Sequence, residues 1–219
     1  MSELIALRAK DGHELVAYRA GAKDAALGVV VVQEIFGVNR HMREVCDRIA
    51  DRGFAVVAPA LFDRVERGIE LGYGPADSAR GRELRSRVPD AGAVADIEVA
   101  ASVLPAQCAI VGYCWGGTIA WWGATRTHAF KAAVAWYGGG IAATRDESPH
   151  CPVQLHFGEL DGGISMDDVR AIRIAQPEIE LFTYPGVGHG FGCDERDSFN
   201  AAANDLAEAR TLEFLAAHL

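Results

Sequence analysis

The chain has 219 residues, of which 50% are hydrophobic and 23% charged, and this composition excludes a disordered protein. The formal net charge of −9 argues against partners such as nucleic acids or anionic membranes, because both attract basic surfaces. The N-terminal residues carry no signal-peptide pattern, and no apolar run approaches the roughly 18 residues that a membrane span requires. We therefore expect a cytoplasmic, monomeric protein that folds as a single domain over residues 1–219.

The first predicted element is an antiparallel hairpin, in which residues 4–9 and 13–19 flank a tight turn at Asp11-Gly12. Further apolar, mostly β-branched runs predict strands at 28–33, 54–58, 108–112, 132–137, 153–157 and 179–184. Asn39 is the expected N-cap of a helix that Gly53 terminates. Other helices are predicted at 76–87, 91–104, 116–126, 166–175 and 198–218, and Ser165 with Asp168 resembles a capping box.

Strands that alternate with helices indicate an α/β fold with a mostly parallel sheet of about eight strands flanked by helices. In such sheets ligands bind beyond the carboxyl ends of the strands, so reactive residues that directly follow strands are the ones to examine. The stretch 59–75 has no clear element, and a loop of that length is usually functional.

The sharpest motif is Gly112-Tyr113-Cys114-Trp115-Gly116-Gly117, which lies between a predicted strand and a predicted helix. It matches the nucleophile elbow G-x-S-x-G with Cys in place of Ser. A helix N-terminus favours a thiolate at Cys114, and the Trp115 amide could donate to an oxyanion. The alternative is a glycine-rich turn around an inert cysteine.

A nucleophile of this kind needs a base and an acid on later strand ends. His189 follows the strand 179–184 in a glycine-rich loop, whereas His156 lies inside an apolar strand and is expected in the core. Asp161 follows the strand 153–157, and Glu159 in the same loop competes with it for the role of the acid. The order Cys114, Asp161, His189 is the order found in α/β-hydrolases.

Glu34 ends the strand 28–33, where it is either a solvated or arginine-paired carboxylate or a group that faces the elbow. The turn formed by Ile35 and Phe36 is where an α/β-hydrolase supplies its second oxyanion amide. The five cysteines form no CxxC pair and have no zinc-like spacing to histidine, so we expect neither a metal nor a cofactor.

Four segments together resemble the dienelactone hydrolase family: QEIFGVN (33–39), GYCWGG (112–117), the Asp after FGEL, and GHGF (188–191). The resemblance implies an α/β-hydrolase fold with Cys114 as nucleophile, His189 as base and Asp161 as its partner. It further implies that Glu34 contacts the resting thiol and that Ile35 and Trp115 provide the oxyanion amides.

The same resemblance implies an arginine that binds a substrate carboxylate; Arg82 is the nearest match and Arg80 the rival, and Phe36 is expected to contact substrate. The family arginine just past the histidine is missing, since Cys193 stands near its place and Arg196 follows three residues later. Six arginines fall within residues 64–87, and they indicate either an anionic substrate or a solvated helix with intrahelical pairs.

The expected function is therefore hydrolysis of a lactone or ester, dienelactone-like and carboxylate-bearing, through an acyl-thiol intermediate. The alternatives are a thioesterase or general carboxylesterase, a non-catalytic ligand-binding homologue, and a redox sensor that uses Cys114.

Overall fold

A computed structural model describes residues 2–219 and contains one eight-stranded sheet with the strand order β1-β2-β4-β3-β5-β6-β7-β8. The strands are β1 (Glu3–Arg8), β2 (Glu14–Ala20), β3 (Leu27–Val32), β4 (Ala55–Pro59), β5 (Gln107–Tyr113), β6 (Ala132–Trp136), β7 (Val153–Gly158) and β8 (Glu180–Tyr184). The helices are α1 (Arg40–Ala50), α2 (Pro75–Arg87), α3 (Asp90–Ser102), α4 (Trp115–Arg126), α5 (Met166–Ala175) and α6 (Ala201–His218). This is the predicted fold, and the sequence placed its elements to within one to three residues.

The sheet is parallel from β4 to β8, while β1 and β2 are antiparallel to their neighbours, as predicted. Its central strands are continuous apolar runs because both of their faces are covered: Val29 to Val32 in β3 and Ala132 to Trp136 in β6 are all buried. Helices α3 and α4 pack together on the sheet, and residues of α1 and α6 line a common small cavity. Parallel order brings the carboxyl ends of β3, β5, β7 and β8 to one edge.

Two helix starts confirm the capping predictions. Asn39 accepts a hydrogen bond from the Met42 amide at the start of α1, and Ser165 and Asp168 form a reciprocal capping box at the start of α5. Asn39 also donates through Nδ2 to the Leu71 carbonyl at 3.0 Å, so the same side chain ties α1 to the segment that precedes α2.

The stretch 59–75 packs against the turn that follows β3. It forms a short 3-10 helix (Leu61–Arg64) and then an isolated β-bridge between Glu70 and Gly37, while the Leu71 amide donates to the Phe36 carbonyl at 2.8 Å. The segment therefore lies directly over the turn that follows β3. Among residues 2–219, no helix is both long and apolar enough to cross a membrane.

Candidate active site

Cys114 occupies a strained turn between β5 and α4, with φ 56° and ψ −115°. The two flanking glycines make this turn possible. A Cβ on Gly112 would lie 1.9 Å from the Gly116 carbonyl oxygen, and a Cβ on Gly116 would lie 2.3 Å from the Val32 carbonyl oxygen. The G-x-C-x-G spacing therefore reflects backbone contacts that no side chain could share, and it leaves Cys114 partly exposed at the sheet edge.

The structure brings Cys114, His189 and Asp161 together, although they come from three different strand ends. His189 Nε2 lies 3.1 Å from Cys114 Sγ, and His189 Nδ1 lies 2.7 Å from Asp161 Oδ2. The other oxygen of Asp161 accepts hydrogen bonds from the amides of Gly163 (2.8 Å) and Ile164 (3.2 Å). The carboxylate is thus fully engaged, and it holds the imidazole with one nitrogen facing the sulfur.

Electrostatics favour a charged imidazole in this arrangement. Burial alone would lower the pKa of His189, but its hydrogen bonds to Asp161 and Cys114 outweigh burial and raise the pKa to about 10. Burial likewise acts to raise the pKa of Asp161, yet the bond to His189 and the two loop amides bring it below its usual value. An imidazolium between an anionic carboxylate and the sulfur stabilises negative charge on that sulfur.

Glu34 is fully buried at the end of β3, and its hydrogen-bond partner is Arg196, seven residues past His189. Its Oε1 accepts from Arg196 Nη1 at 3.3 Å, and Oε2 has no partner among residues 2–219. Within that same range, neither Glu34 oxygen hydrogen-bonds to Cys114, whose partner is His189. The carboxylate is thus paired with an arginine, which is one of the alternatives that the sequence offers, and the implied contact of Glu34 with the resting thiol stays a prediction.

The two expected oxyanion donors belong to the elbow and to the turn after β3. The Trp115 amide is the first N–H of α4, and amides of a first helical turn have no acceptor within their own helix. Helix α2 packs on the carbonyl of Ile35, since a Cβ on Gly81 would lie 2.0 Å from the Ile35 carbonyl oxygen. Helix α2 therefore fixes the peptide between Ile35 and Phe36, which follows the Ile35 amide.

Most of the arginine cluster is engaged in structural contacts. Arg80 binds Glu83 at 2.7 Å and also Glu66, so both of its partners compete with any substrate. Arg64 holds the buried carboxylate of Asp96 at 2.7 Å. Arg82 is exposed and forms no ion pair within the described residues. Of the two predicted arginines, Arg82 is therefore the one that has no competing ion pair in the described part of the chain.

Two side chains at the site had no sequence signal that assigned them to it. Arg196 lies 5.8 Å above the ring of Phe36, whose buried ring also contacts Tyr73. Tyr137 has φ 42° directly after β6, and its ring meets His189 edge-on at 5.1 Å. The Tyr137 hydroxyl is buried and has no hydrogen-bond partner within the described residues. Burial and the Glu34 charge raise its pKa well above the usual value, so the phenol stays neutral.

A cavity of about 750 Å³ lies elsewhere, between β1, β2 and the end of α1, and it is lined by none of these site residues. The reactive groups converge instead at the carboxyl ends of the strands.

Comparison with known proteins identifies the family of this chain. The sequence model of the dienelactone hydrolase family matches residues 15–219. A carboxymethylenebutenolidase of Pseudomonas putida is 32% identical over 232 aligned positions, which cover 99% of this chain and 97% of that protein. A Synechocystis sp. protein provisionally named a carboxymethylenebutenolidase is 35% identical and covers 80% of this chain and 79% of its own. The crystal structure of a protein from Klebsiella pneumoniae, provisionally named a dienelactone hydrolase, superimposes with a TM-score of 0.82 at 33% identity over 98% of this chain and 99% of that one.

Proposed function

The chain belongs to the dienelactone hydrolase family and is a carboxylic ester hydrolase, and from that premise we propose that it cleaves a carboxylate-bearing lactone or ester through an acyl-thiol on Cys114. The observation that carries the proposal is the pair of distances that links Asp161, His189 and Cys114, at 2.7 and 3.1 Å. A sulfur, an imidazole and a carboxylate in that order are the groups required for nucleophilic acyl transfer.

In the first half-reaction the Cys114 sulfur attacks the ester carbonyl while His189 holds the thiol proton on Nε2. Negative charge develops on the carbonyl oxygen, and the amides of Ile35 and Trp115 are the proposed donors to it. The C–O bond then breaks, and His189 gives its proton to the leaving oxygen. In a lactone the leaving oxygen stays attached to the acyl chain.

In the second half-reaction His189 accepts a proton from water, and the resulting hydroxide attacks the thioester carbonyl. The C–S bond breaks, the carboxylic acid product leaves, and the sulfur regains the proton from His189. Asp161 keeps the imidazole oriented and stabilises its positive charge in both steps, and its two loop amides keep the carboxylate from turning away.

Arg196 and Glu34 favour a substrate that carries its own carboxylate. Glu34 satisfies Arg196 through a single 3.3 Å bond, which a substrate carboxylate could replace with a two-point contact. Arg82, which is exposed and follows the glycine that packs on Ile35, is the second candidate. Displacement of Glu34 from Arg196 would free a buried base that takes the thiol proton and passes it to His189, so that substrate binding and thiol activation are linked.

The test compares hydrolysis of a carboxylate-bearing lactone with hydrolysis of its methyl ester. Cys114→Ala should abolish turnover of both, whereas Cys151→Ala, which removes another free and partly buried thiol, should leave turnover intact. His189→Gln should accumulate an acyl-enzyme that is visible by intact mass. Near wild-type turnover by Cys114→Ala would refute the proposed nucleophile.

The anionic-substrate part is tested separately. Arg196→Met should lower kcat/KM for the carboxylated substrate by about ten- to a hundredfold, which is the usual loss for one charge-assisted contact, and should change the methyl ester little. Arg82→Met on the same two substrates shows whether the exposed arginine contributes. Equal losses on both substrates would place the arginine effect in packing and not in recognition.

A further inference from the structure

Three buried residues lie together beside the candidate active site, although their spacing in the sequence does not suggest a common site. They are Glu34 at the end of β3, His41 in the first turn of α1, and Cys193 in the loop after His189. One ligand atom from each side chain lies within 4.8 Å of the other two. All three side chains are nearly inaccessible to solvent. The hydrolytic mechanism uses Glu34 but has no role for His41 or Cys193.

We propose that Glu34, His41 and Cys193 form a binding site for a divalent metal ion of the zinc class, and that an ion bound there inhibits hydrolysis by immobilising Glu34. The inhibitory part rests on the proposed function, whereas the binding part does not.

The donor set indicates the class of ion. A carboxylate oxygen, an imidazole nitrogen and a cysteine sulfur are the ligands that Zn²⁺ takes in proteins, and a sulfur ligand argues against Mg²⁺ or Ca²⁺. Bonds of about 2.0–2.3 Å in a tetrahedron separate neighbouring ligands by about 3.3–3.8 Å. The observed separations of up to 4.8 Å therefore need to contract by about 1 Å, which side-chain rotation can supply.

One buried oxygen of Glu34 lacks a hydrogen-bond partner, and this indicates a ligand at the cluster. Oε2 of Glu34 is buried and has no hydrogen-bond partner in the described part of the chain, because Arg196 binds only Oε1. An unsatisfied buried carboxylate oxygen is costly, and a bound cation would satisfy it. The metal would take Oε2 and leave the bond from Arg196 to Oε1 in place.

The surrounding groups match those that support metal ligands. His41 Nδ1 lies 2.9 Å from Asp194 Oδ1, so coordination through Nε2 would produce the carboxylate–histidine–metal arrangement that fixes a ligating imidazole. The Tyr73 hydroxyl lies beside the Cys193 sulfur and accepts a bond from Asn39 Nδ2 at 3.2 Å, which leaves its proton for a thiolate. A divalent ion, the carboxylates of Glu34 and Asp194, the Cys193 thiolate and the Arg196 cation sum to zero charge.

A surface cavity of about 490 Å³ adjoins the cluster and is lined by Tyr73, Gly74, Glu195, Arg196, Asp197 and Ser198. Tyr73 contacts Cys193 and Arg196 contacts Glu34, so an ion that enters from this cavity must displace one of these two side chains. Glu195 is already paired with Arg40, so Asp197 is the carboxylate of this cavity that attracts a cation.

Binding is a ligand exchange without electron transfer. Without a metal, burial and the Glu34 charge raise the pKa of Cys193 to about 12, so the group is a neutral thiol. On binding, the ion loses water molecules and forms bonds to sulfur, nitrogen and oxygen, and the thiol proton passes to solvent. A coordinated Glu34 can no longer leave Arg196 and turn toward the reacting thiol, and hydrolysis stops.

Cobalt(II) tests the site directly, since a bound thiolate gives it a charge-transfer absorption that aqueous cobalt lacks. The measurement uses chelator-treated Cys114→Ser protein, so that the catalytic sulfur cannot contribute. We expect the band to saturate at one cobalt per chain and to bleach when Zn²⁺ is added. It should vanish in Cys114→Ser/Cys193→Ser and persist in the matched control Cys114→Ser/Cys151→Ser. Absence of the band, or its persistence without Cys193, would overturn the site.

Inhibition is tested in proteins that retain Cys114, each compared with its own metal-free rate. Half-inhibition of Cys193→Ala should require a Zn²⁺ concentration at least about tenfold higher than that of the unsubstituted chain, because one of the three proposed ligands has been removed. Equal sensitivity would mean that zinc acts at the Cys114–His189 pair, and it would overturn the inhibitory role. A chain that binds cobalt as expected but hydrolyses no ester or lactone would refute the proposed function and leave the metal site standing.

Discussion

Replacement of Arg196 by Met should expose the cost of burying Glu34. The substitution keeps much of the side-chain volume and removes the only group in the described chain that hydrogen-bonds to this carboxylate. The Glu34 side chain is 1% exposed, so water cannot take the place of the guanidinium without a local rearrangement. The folded state should therefore lose stability although no apolar contact of the core is deleted.

The size of the loss follows from the geometry. Removal of one partner of a fully buried ion pair costs about 3–5 kcal/mol. Here the bond is long at 3.3 Å, and Arg196 is 24% exposed, so we expect about 2–3 kcal/mol.

Urea denaturation at pH 7 measures this loss. The double variant Glu34→Gln/Arg196→Met should recover most of the loss, because a neutral amide needs no counter-charge. Arg82→Met, which removes an exposed arginine, should stay within about 0.5 kcal/mol of the unsubstituted chain. An Arg196→Met deficit below about 0.5 kcal/mol, or a double variant that recovers none of the loss, would refute the reasoning.

Three further predictions concern the elbow, the α1 cap and the candidate base. Gly116→Ala should lower the free energy of unfolding by about 3 kcal/mol in urea denaturation, since its Cβ would lie 2.3 Å from the Val32 carbonyl oxygen. Gly162→Ala is the matched control and should change this free energy very little, because beyond its two chain neighbours no heavy atom of residues 2–219 lies within 4 Å of the added Cβ. Asn39→Ala should cost about 1–2 kcal/mol in the same assay because the cap of α1 is lost. The pKa of His189, raised to about 10, contributes stability that is complete below about pH 6.5 and disappears as the pH rises toward 10. Calorimetry should therefore show the Tm gap between the unsubstituted chain and His189→Gln narrowing from pH 6 to pH 10, and a constant gap would contradict the assignment of that pKa.

The elements of this fold were predictable because each has a local cause. Apolar β-branched runs indicate the buried parallel strands, and Asn39 and Ser165 carry the capping interactions with residues three positions ahead. The elbow was predictable for the same reason, since G-x-C-x-G records contacts that its own backbone makes with the neighbouring strand. Strand ends moved by a residue or so because pairing with a neighbour, and not residue type, decides where a ladder stops.

The partners of charged side chains were not predictable, because they depend on reach across the folded chain. Intrahelical pairing of Arg80 with Glu83 follows from helical spacing, but its second partner, Glu66, depends on how the stretch 59–75 folds back. Arg196 hydrogen-bonds to Glu34, which lies 162 positions earlier in the chain, and no local pattern encodes that contact. The cluster of Glu34, His41 and Cys193 escapes any search for zinc spacing for the same reason.

The hydrogen bond between His189 and Cys114 also has a consequence for the order in which function appears during folding. It joins residues 75 positions apart, and the Asp161 contact that orients the imidazole spans the last 28 of these positions. Closing such loops is entropically expensive until the intervening strands β6, β7 and β8 have assembled beside β5. Recovery of hydrolysis in a refolding experiment should thus follow the slowest phase, because His189 reaches Cys114 only after β8 has docked. A chain arrested before its last strand docks would hold Cys114 in its turn and remain catalytically silent.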